Sequence, residues 1–459
     1  MFIMRKRLAV ALAAFGVASS VLGAVLAEEA KQLGTTLTPF GAEKAGNADG
    51  SIPAYAGAQV TPPASYKPGS GKYPDPFADD KELVKIDSKN VAQYKDVLTP
   101  GVVATLQQYP SFAVHVYPTR RTAQYPKWVL DNSIKNATKG ELGGEVRGDA
   151  VKGVYGGIPF PIPKSGEEVL WNFRLRYVPA FSQMRQSSYL VDSSGRSVFL
   201  GRFLCRFANA YYDPVVASLT DPYFFKQLCT GEAPVSQVSY NILFSLSTDY
   251  ANNDQLVWVY TPGQRRVRTA PEFSYDTPAA NFGGALTYDE NNVFSGRTDR
   301  FDLKLVGKKE MLVPYNNHHV FAADASAEKY LIPKHPNPEY IRFEKHRVFV
   351  VEATLKAGKR HVLSRRTFYV DEDSWQLVAT DGYDQSGKLY RVGLAMPFTA
   401  YDDKSNAPYT VGQLYTYLDL SKGEYFTSFP DATGRYDAAA KMPDLGEYTP
   451  SRLAATGVR

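Results

Sequence analysis

Apolar and polar positions divide the chain into a front part without regular period and a long back part dominated by alternation. Residues 28–80 are punctuated by proline and glycine, in TPFGAEKAGNADGSIPAYAG and TPPASYKPGSGKYPDPF, and predict an extended arm that wraps around something else. Helical signals follow. Asp87 or Ser88 can cap a helix running to about Leu98, Thr99 and Pro100 form an N-cap and first-turn pair for a second helix to about Gln108, and a third starts near Pro126 and carries Trp128, Val129 and Leu130. The stretch GVYGGIPFPIPKSG, residues 153–166, is too rich in proline and glycine for ladder pairing and reads as a lip or lid around Phe160.

Beyond residue 170 the period is two. WNFRLRYVP predicts a strand with Trp171, Phe173, Leu175 and Tyr177 on one face and Asn172, Arg174 and Arg176 on the other. SYLVDSSGRSVFLGRFLCRF predicts a hairpin turning at 192–195, its second strand aligning Phe199, Phe203, Cys205 and Phe207. Further strands are expected at 240–248, 255–261, 264–269, 300–306, 310–314, 346–356, 360–370, 374–381, 388–396 and 411–427. Short turns join them, among them Pro262-Gly263, Val306-Gly307-Lys308, 356–359, 371–374 and 384–388. Strands joined this way form antiparallel meanders, so the expected fold class is mainly β (α+β): one large curved antiparallel sheet with a few helices on its concave side.

Composition sharpens this. Thirty-one tyrosines stand against four tryptophans and six methionines, a bias that suits pleated surfaces and polar-tipped contacts. The formal charge of +5 is largely a targeting feature, because Arg5, Lys6 and Arg7 precede the apolar run LAVALAAFGVASSVLGAVLA, the pattern of a secretory signal peptide. Cleavage is expected after Ala27, with Val25 and Ala27 as the small residues at the peptidase site and no cysteine nearby to carry lipid. The expected layout is a signal peptide at 1–27, arm and helices at 28–169 and a β-domain at 170–459, with arm and sheet one structural unit in the periplasm. A polybasic surface for nucleic acid loses its support. Cys205 and Cys229 form no C-x-x-C pair; an exported compartment permits a structural bridge between them, with two buried free thiols as the alternative.

The phosphate-loop, dinucleotide, nucleophile-elbow and H-E-x-x-H patterns are absent, so neither enzyme nor cofactor is expected. Ser326-Ala-Glu-Lys329 has S-x-x-K spacing without partner motifs and reads as an exposed helical turn. Adjacent His318 and His319 would point to opposite faces of a strand, which disfavours a shared metal, and Asp371-Glu372-Asp373 reads as a solvated hairpin turn. No metal site is expected. The most informative stretch is LVWVYTPGQRRVR, where Trp258 and Tyr260 share a strand face and Arg265, Arg266 and Arg268 follow the turn. Arginines beside an apolar wall suit an amphiphile with an anionic head; a charged edge that discourages sheet-to-sheet pairing is the alternative.

This stretch, followed by LTYDE, HVLSRRTFYVDEDSWQ and GYDQSGKL, resembles the periplasmic outer-membrane lipoprotein-sorting (LolA/LolB-like) superfamily over roughly residues 170–400. LTPFGAEKAGNADGSIPA, VYPTRRTA and PFPIPKSGEEVLWN are similar to an uncharacterised proteobacterial branch related to it. The resemblance implies a half-open barrel whose concave side holds hydrophobic ligand, and a non-enzymatic periplasmic binding or shuttle protein for a lipid-like molecule, working beside an inner-membrane transporter or outer-membrane protein. On that reading Trp171, Phe173, Leu175, Tyr177, Trp258 and Tyr260 form walls, Phe160 a lip, and Arg265, Arg266 and Arg268 meet a headgroup or protein partner. The rival is an assembly factor that docks such a partner without ligand.

Overall fold

The alternating back half of the chain forms strands, and the front half covers them. The computed structural model describes residues 25–57, 60–70, 72–270, 275–279, 282–322, 325–402, 408–412, 414–430, 436–439 and 441–456; the expected signal peptide lies outside these up to residue 24. Helices are α1 (Ala27–Ala30), α2 (Pro100–Gln108), α3 (Lys127–Ala137), α4 (Gly166–Arg174), α5 (Ala327–Tyr330) and α6 (Pro450–Thr456). Strands β1 (Val84–Ile86), β2 (Val114–Val116), β3 (Glu141–Gly143) and β4 (Ala150–Lys152) are short. The main run follows as β5 (Phe181–Val191), β6 (Ser197–Asn209), β7 (Tyr223–Ala233), β8 (Asn241–Ser247), β9 (Leu256–Thr261), β10 (Arg266–Thr269), β11 (Phe301–Pro314) and β12 (Arg342–Leu355). Then come β13 (Arg365–Asp371), β14 (Leu377–Tyr383), β15 (Leu389–Ala395), β16 (Phe398–Tyr401), β17 (Pro408–Val411), β18 (Tyr415–Asp419), β19 (Glu424–Pro430) and β20 (Tyr436–Ala439).

Among the described residues sixteen strands join one sheet, running β1-β2-β12-β13-β14-β15-β18-β19-β5-β6-β7-β8-β9-β10, with β11 paired to β12 and β20 to β5. Pairing is antiparallel except where β2 meets β12, and the sheet does not close into a barrel. Its centre is buried on both faces. Along β12, Val348 and Val350 belong to one apolar cluster while Phe349, Val351 and Ala353 belong to another, and β13 repeats this with Tyr369 against Phe368 and Val370. Val102 and Leu106 of α2 join the first cluster, whereas Val129 of α3 and Val169, Leu170 and Trp171 of α4 join the second. Helices therefore lie on both faces, not on the concave side alone, and the two-sided burial explains why these strands read as nearly continuous apolar runs. Arm residues Val60 and Tyr73 enter the first cluster and Phe40 the second, so arm and sheet share their cores.

Several expected elements change. WNFRLRYVP is not a strand: its first four residues are the end of α4, because Ser165 accepts the N–H of Glu168 and caps a helix. The S-x-x-E start outweighs a short alternation that Val169, Leu170 and Phe173 also satisfy at helical spacing. The Val306-Gly307-Lys308 turn is a bulge within one strand, β11, where Gly307 at φ +140° absorbs an extra residue without ending the ladder. The stretch 411–427 is divided among β17, β18 and β19, and β7 lies where no strand was expected. The helix from Asp87 or Ser88 shrinks to a 3₁₀ turn at Val91–Gln93, since Asp87 and Asn90 side chains bond nearby backbone N–H groups instead. Thr99 caps α2 as read, accepting from the N–H of Val102. Cys205 and Cys229 face each other across β6 and β7 and form a disulfide.

Buried charge fastens the arm to the sheet. Arg121 donates from Nε and Nη2 to both oxygens of Asp373 at 2.8 and 2.7 Å and from Nη2 to the Glu43 carbonyl at 2.8 Å. Lys308 joins Glu43 to Glu372 at 2.9 and 2.7 Å. Arg342 bonds Glu344 at 2.6 Å and reaches Asp80 of the arm at 2.7 Å. The solvated turn expected at Asp371-Glu372-Asp373 is thereby overturned: these side chains are 0%, 2% and 1% exposed, because Arg121 and Lys308 cover them with opposite charge. His346 sits between Asp371 and Glu344 at 3.3 and 3.1 Å. Burial pulls its pKa down, but hydrogen bonds and charge from both carboxylates prevail and push it up to about 10.

Replacing Arg121 by Met should leave Asp373 buried without its counter-ion and lower the unfolding free energy by about 3–5 kcal/mol in urea titrations. Because the folded pKa of His346 lies above its unfolded value of about 6.5, its stabilisation is complete below that pH and lost as pH rises toward 10. Urea midpoints should therefore fall across this window, and His346→Gln should flatten that part of the curve.

Candidate functional site

The residues singled out from the sequence do not converge on one wall. Phe160 is buried, its backbone N–H and C=O clamped by the Asn172 side chain at 2.8 and 2.7 Å. Residues 156–161 are core, not a lip, because this amide satisfies the backbone that proline and glycine leave unpaired. Trp171 is fully buried and donates from Nε1 to the Gly148 carbonyl at 2.9 Å, and Leu175 is buried beside it. Trp258 and Tyr260 pack with Leu228, Leu243 and Leu453 of α6. Arg266 and Arg268 pair with Thr261 and Val259, which places them on the opposite sheet face from Trp258 and Tyr260. Arg265 holds the turn at φ 49°, and all three arginines are exposed. Ser326 caps α5 by accepting the N–H of Lys329. His318 and His319 lie on a 3₁₀ turn and not on a strand, where His318 is buried and His319 approaches Asp75 at 3.3 Å.

Phe173 alone among the expected wall residues lines the cavity between α4 and strands β6 to β8. The register pairs Phe225 with Leu246 and Gln227 with Phe244, so these four side chains share one face and form its floor. The last turn of α4, Tyr250 and residues 291–295 form the opposite wall, leaving about 70 Å³ free. Among the described residues the lining contains Arg174 and Arg176 and no carboxylate. Arg174 lies 5.1 Å from the Trp171 ring centre and 5.7 Å from those of Tyr250 and Phe294, and donates to the Gly296 carbonyl at 2.9 Å. Among the described residues no carboxylate comes within ion-pair distance of it. Burial lowers its pKa, partly offset by Tyr250 and Asp149. Two further lining groups, Asn209 Oδ1 and Gln255 Oε1, are buried without a hydrogen-bond partner.

The loop over this cavity carries backbone strain. Asn292 and Val293 take φ of 51° and 70°, a left-handed pair in which the β-branched second residue is a costly occupant. Tyrosines of β18 hold it: the Tyr417 hydroxyl donates to the Val293 carbonyl and that of Tyr415 to Asn291 Oδ1. Sequence reasoning missed Arg174 because the assumed strand pointed it away from the aromatic face. The capping signal at Ser165 and Glu168 could have found it, since helical spacing puts Arg174 one turn from Trp171.

His346, Asp371 and Asp373 come within the spacing of metal ligands. Arg121 already occupies both oxygens of Asp373 and protonated His346 is itself the cation beside Asp371, so this cluster is an ion-pair network.

A family model described as "Protein of unknown function (DUF1329)" matches residues 85–454. The chain belongs to the DUF1329 family. It is 39% identical over 453 residues, 96% of either chain, to the uncharacterized protein PA3922 of Pseudomonas aeruginosa. Among solved structures it is similar to a DUF1329 family protein from Desulfovibrio piger, with a TM-score of 0.43 and 14% identity over 63% of this chain and 97% of that one. It is also similar to a Vibrio parahaemolyticus domain named for outer membrane lipoprotein sorting, with a TM-score of 0.40 and 12% identity over 62% and 97%. The DUF1329 match contains every residue of the α4 cavity, whereas Glu43 and Asp80 of the arm precede it. Among the described residues no helix is long and apolar enough to cross a membrane.

Proposed function

We propose that this DUF1329 protein binds and carries a small hydrophobic molecule bearing an acidic group, as a non-enzymatic carrier in the periplasm. Arg174 carries the reading: a cation walled by three aromatic rings, without a carboxylate counter-ion, beside an aromatic cavity. Arg174 is half-buried, and a partly desolvated cation without a carboxylate partner favours an anion; a ligand carboxylate, phosphate or sulfonate would supply one through paired N–H donors. The orphaned oxygens of Asn209 and Gln255 would accept from a hydroxyl or N–H on the same ligand. Each 100 Å² of apolar ligand surface withdrawn from water adds about 2.5 kcal/mol. The narrow free space and the double packing of the sheet favour a single-chain or ring-bearing molecule over a multiply acylated lipoprotein, with loop 291–295 moving aside on entry.

A second reading rests on Arg265, Arg266 and Arg268. They are exposed on or beside the edge strand β10 and form no ion pair among the described residues, which suits docking to a transporter or outer-membrane protein. Calorimetric titration with dodecanoate and with uncharged dodecanol separates the two. The carrier reading expects dodecanoate to bind more tightly, Arg174→Gln to weaken it about 10- to 100-fold, and the double variant Arg266→Ala/Arg268→Ala to leave it unchanged. Equal affinities for acid and alcohol, or full affinity in Arg174→Gln, would contradict it.

A further inference from the structure

At one end of the sheet two neighbouring connections present apolar and cationic groups together. The Gly231 N–H donates to the Tyr240 carbonyl at 2.8 Å and the Ser239 N–H to the Gly231 carbonyl at 3.2 Å, so the connection from β7 to β8 folds back over its own strand end. Asn241 pairs with Tyr260, which sets this connection beside the turn from β9 to β10 at Pro262–Gln264 and Arg265. The valines at the apex face out: Val235 is 90% exposed and Val238 is 45% exposed. On the adjoining turn Arg265 is exposed, and Arg266 and Arg268 follow it on one face of β10.

The backbone holds the valines outward. Within the loop the Gln237 N–H donates to the Pro234 carbonyl at 2.8 Å and the Val238 N–H to the Val235 carbonyl at 3.2 Å. The loop is already seated on the strand, since a Cβ at Gly231 would meet the Gln237 carbonyl oxygen at 2.1 Å. Behind it Cys229 is bridged to Cys205, and Glu232 accepts from Arg185 at 2.7 and 3.0 Å. The carboxylate at this end is thereby engaged, whereas Arg265, Arg266 and Arg268 form no ion pair among the described residues. Exposed valines recur at the opposite end of these strands, where Val215 and Val216 stand between Asp213 and Asp221 in the connection from β6 to β7. There carboxylates border them; at Val235 and Val238 the border is cationic.

We propose that this end of the sheet docks on an anionic phospholipid surface, with Val235 and Val238 entering the headgroup layer and Arg265, Arg266 and Arg268 meeting lipid phosphates. A single exposed valine needs no explanation, but an apolar apex with a cationic border matches the boundary of an anionic bilayer. Apolar side chains enter that boundary, and each arginine near the surface is worth about a fivefold gain in partitioning. An acidic protein surface would satisfy the arginines but gives the valine apex no apolar medium to enter. Gln227 of the α4 cavity floor lies about 20 Å along β7 from Ala233, at the usual rise per strand residue. Docking at the tip therefore does not require that cavity, and the inference does not rest on the carrier reading.

Vesicle flotation of the protein purified from a periplasmic fraction tests this. Flotation is expected with vesicles containing phosphatidylglycerol and not with pure phosphatidylcholine. Vesicle affinity should fall about tenfold or more in Arg265→Gln/Arg266→Gln/Arg268→Gln and about tenfold in Val235→Ser/Val238→Ser, and stay unchanged in Val215→Ser/Val216→Ser. All three variants alter exposed side chains, and unchanged urea midpoints confirm that they fold. No flotation on the anionic vesicles, equal flotation on the neutral ones, full affinity in either the arginine or the Val235 and Val238 variant, or an equal loss in the Val215 and Val216 variant would overturn the proposal. Capture of an acidic envelope protein through the arginines, without flotation, would overturn it in favour of protein docking. Arg174→Gln should float as the unaltered protein does, so a failed dodecanoate titration and a failed flotation are separate results.

Discussion

Three consecutive acids, Asp371, Glu372 and Asp373, lie buried at the turn between β13 and β14, and they can do so because His346, Lys308 and Arg121 bring opposite charge onto them, with the Glu43 carbonyl of the arm holding Arg121 in place. Desolvation alone would expel such a triplet. Burial and the neighbouring charge of Asp373 raise the pKa of Glu372 to about 7, against the pull of Lys308 and Arg121. The pairing also positions a cavity wall. Tyr125, four residues after Arg121, donates to the Asp373 carbonyl and presents its ring to a cavity it lines with Trp128, Tyr177 and Tyr212, and α3 begins two residues later. Arm, turn and cavity wall are thus parts of one electrostatic joint.

Packing on both faces of the sheet decides what kind of space is left. A half-open barrel with an empty concave side would offer a continuous trough. Here residues of the arm and of α2, α3 and α4 fill both faces at the sheet's centre, and free volume survives where the segment after α4 runs between layers. Tyrosine makes this layering possible. Tyr155, Tyr211, Tyr212, Tyr417 and Tyr425 each bury a ring or part of one and donate the hydroxyl to a backbone carbonyl of another segment. The tyrosine excess in the composition is therefore first a stapling device, and only a few rings remain for ligand walls.

The antiparallel sheet was legible in the sequence because period-two patterning and short turns are local properties, as at β8, β9 and the hairpin turning at 192–195. So was the cap of α2, which needs only Thr99 and Pro100. What could not be read depends on distant partners. Asp373 looks solvated until Arg121, 252 positions away in sequence, is placed on it. Phe160 looks like part of a lip until Asn172 satisfies its backbone. Misassigning α4 as a strand had the largest consequence, since it hid Arg174 and left attention on Arg265, which sits in the turn, and on Arg266 and Arg268, which the fold holds on the far face from Trp258 and Tyr260.

If the space beside α4 is a ligand site and not a packing defect, the protein should leave the cell loaded. Organic extraction of the protein purified from a periplasmic fraction, followed by mass spectrometry, tests this most directly. A small amphiphile with an acidic group should be recovered in near-stoichiometric amount and be depleted when Arg174 is replaced by Gln. A protein that is consistently empty, while retaining a stable envelope partner through purification, would contradict it in favour of an assembly factor.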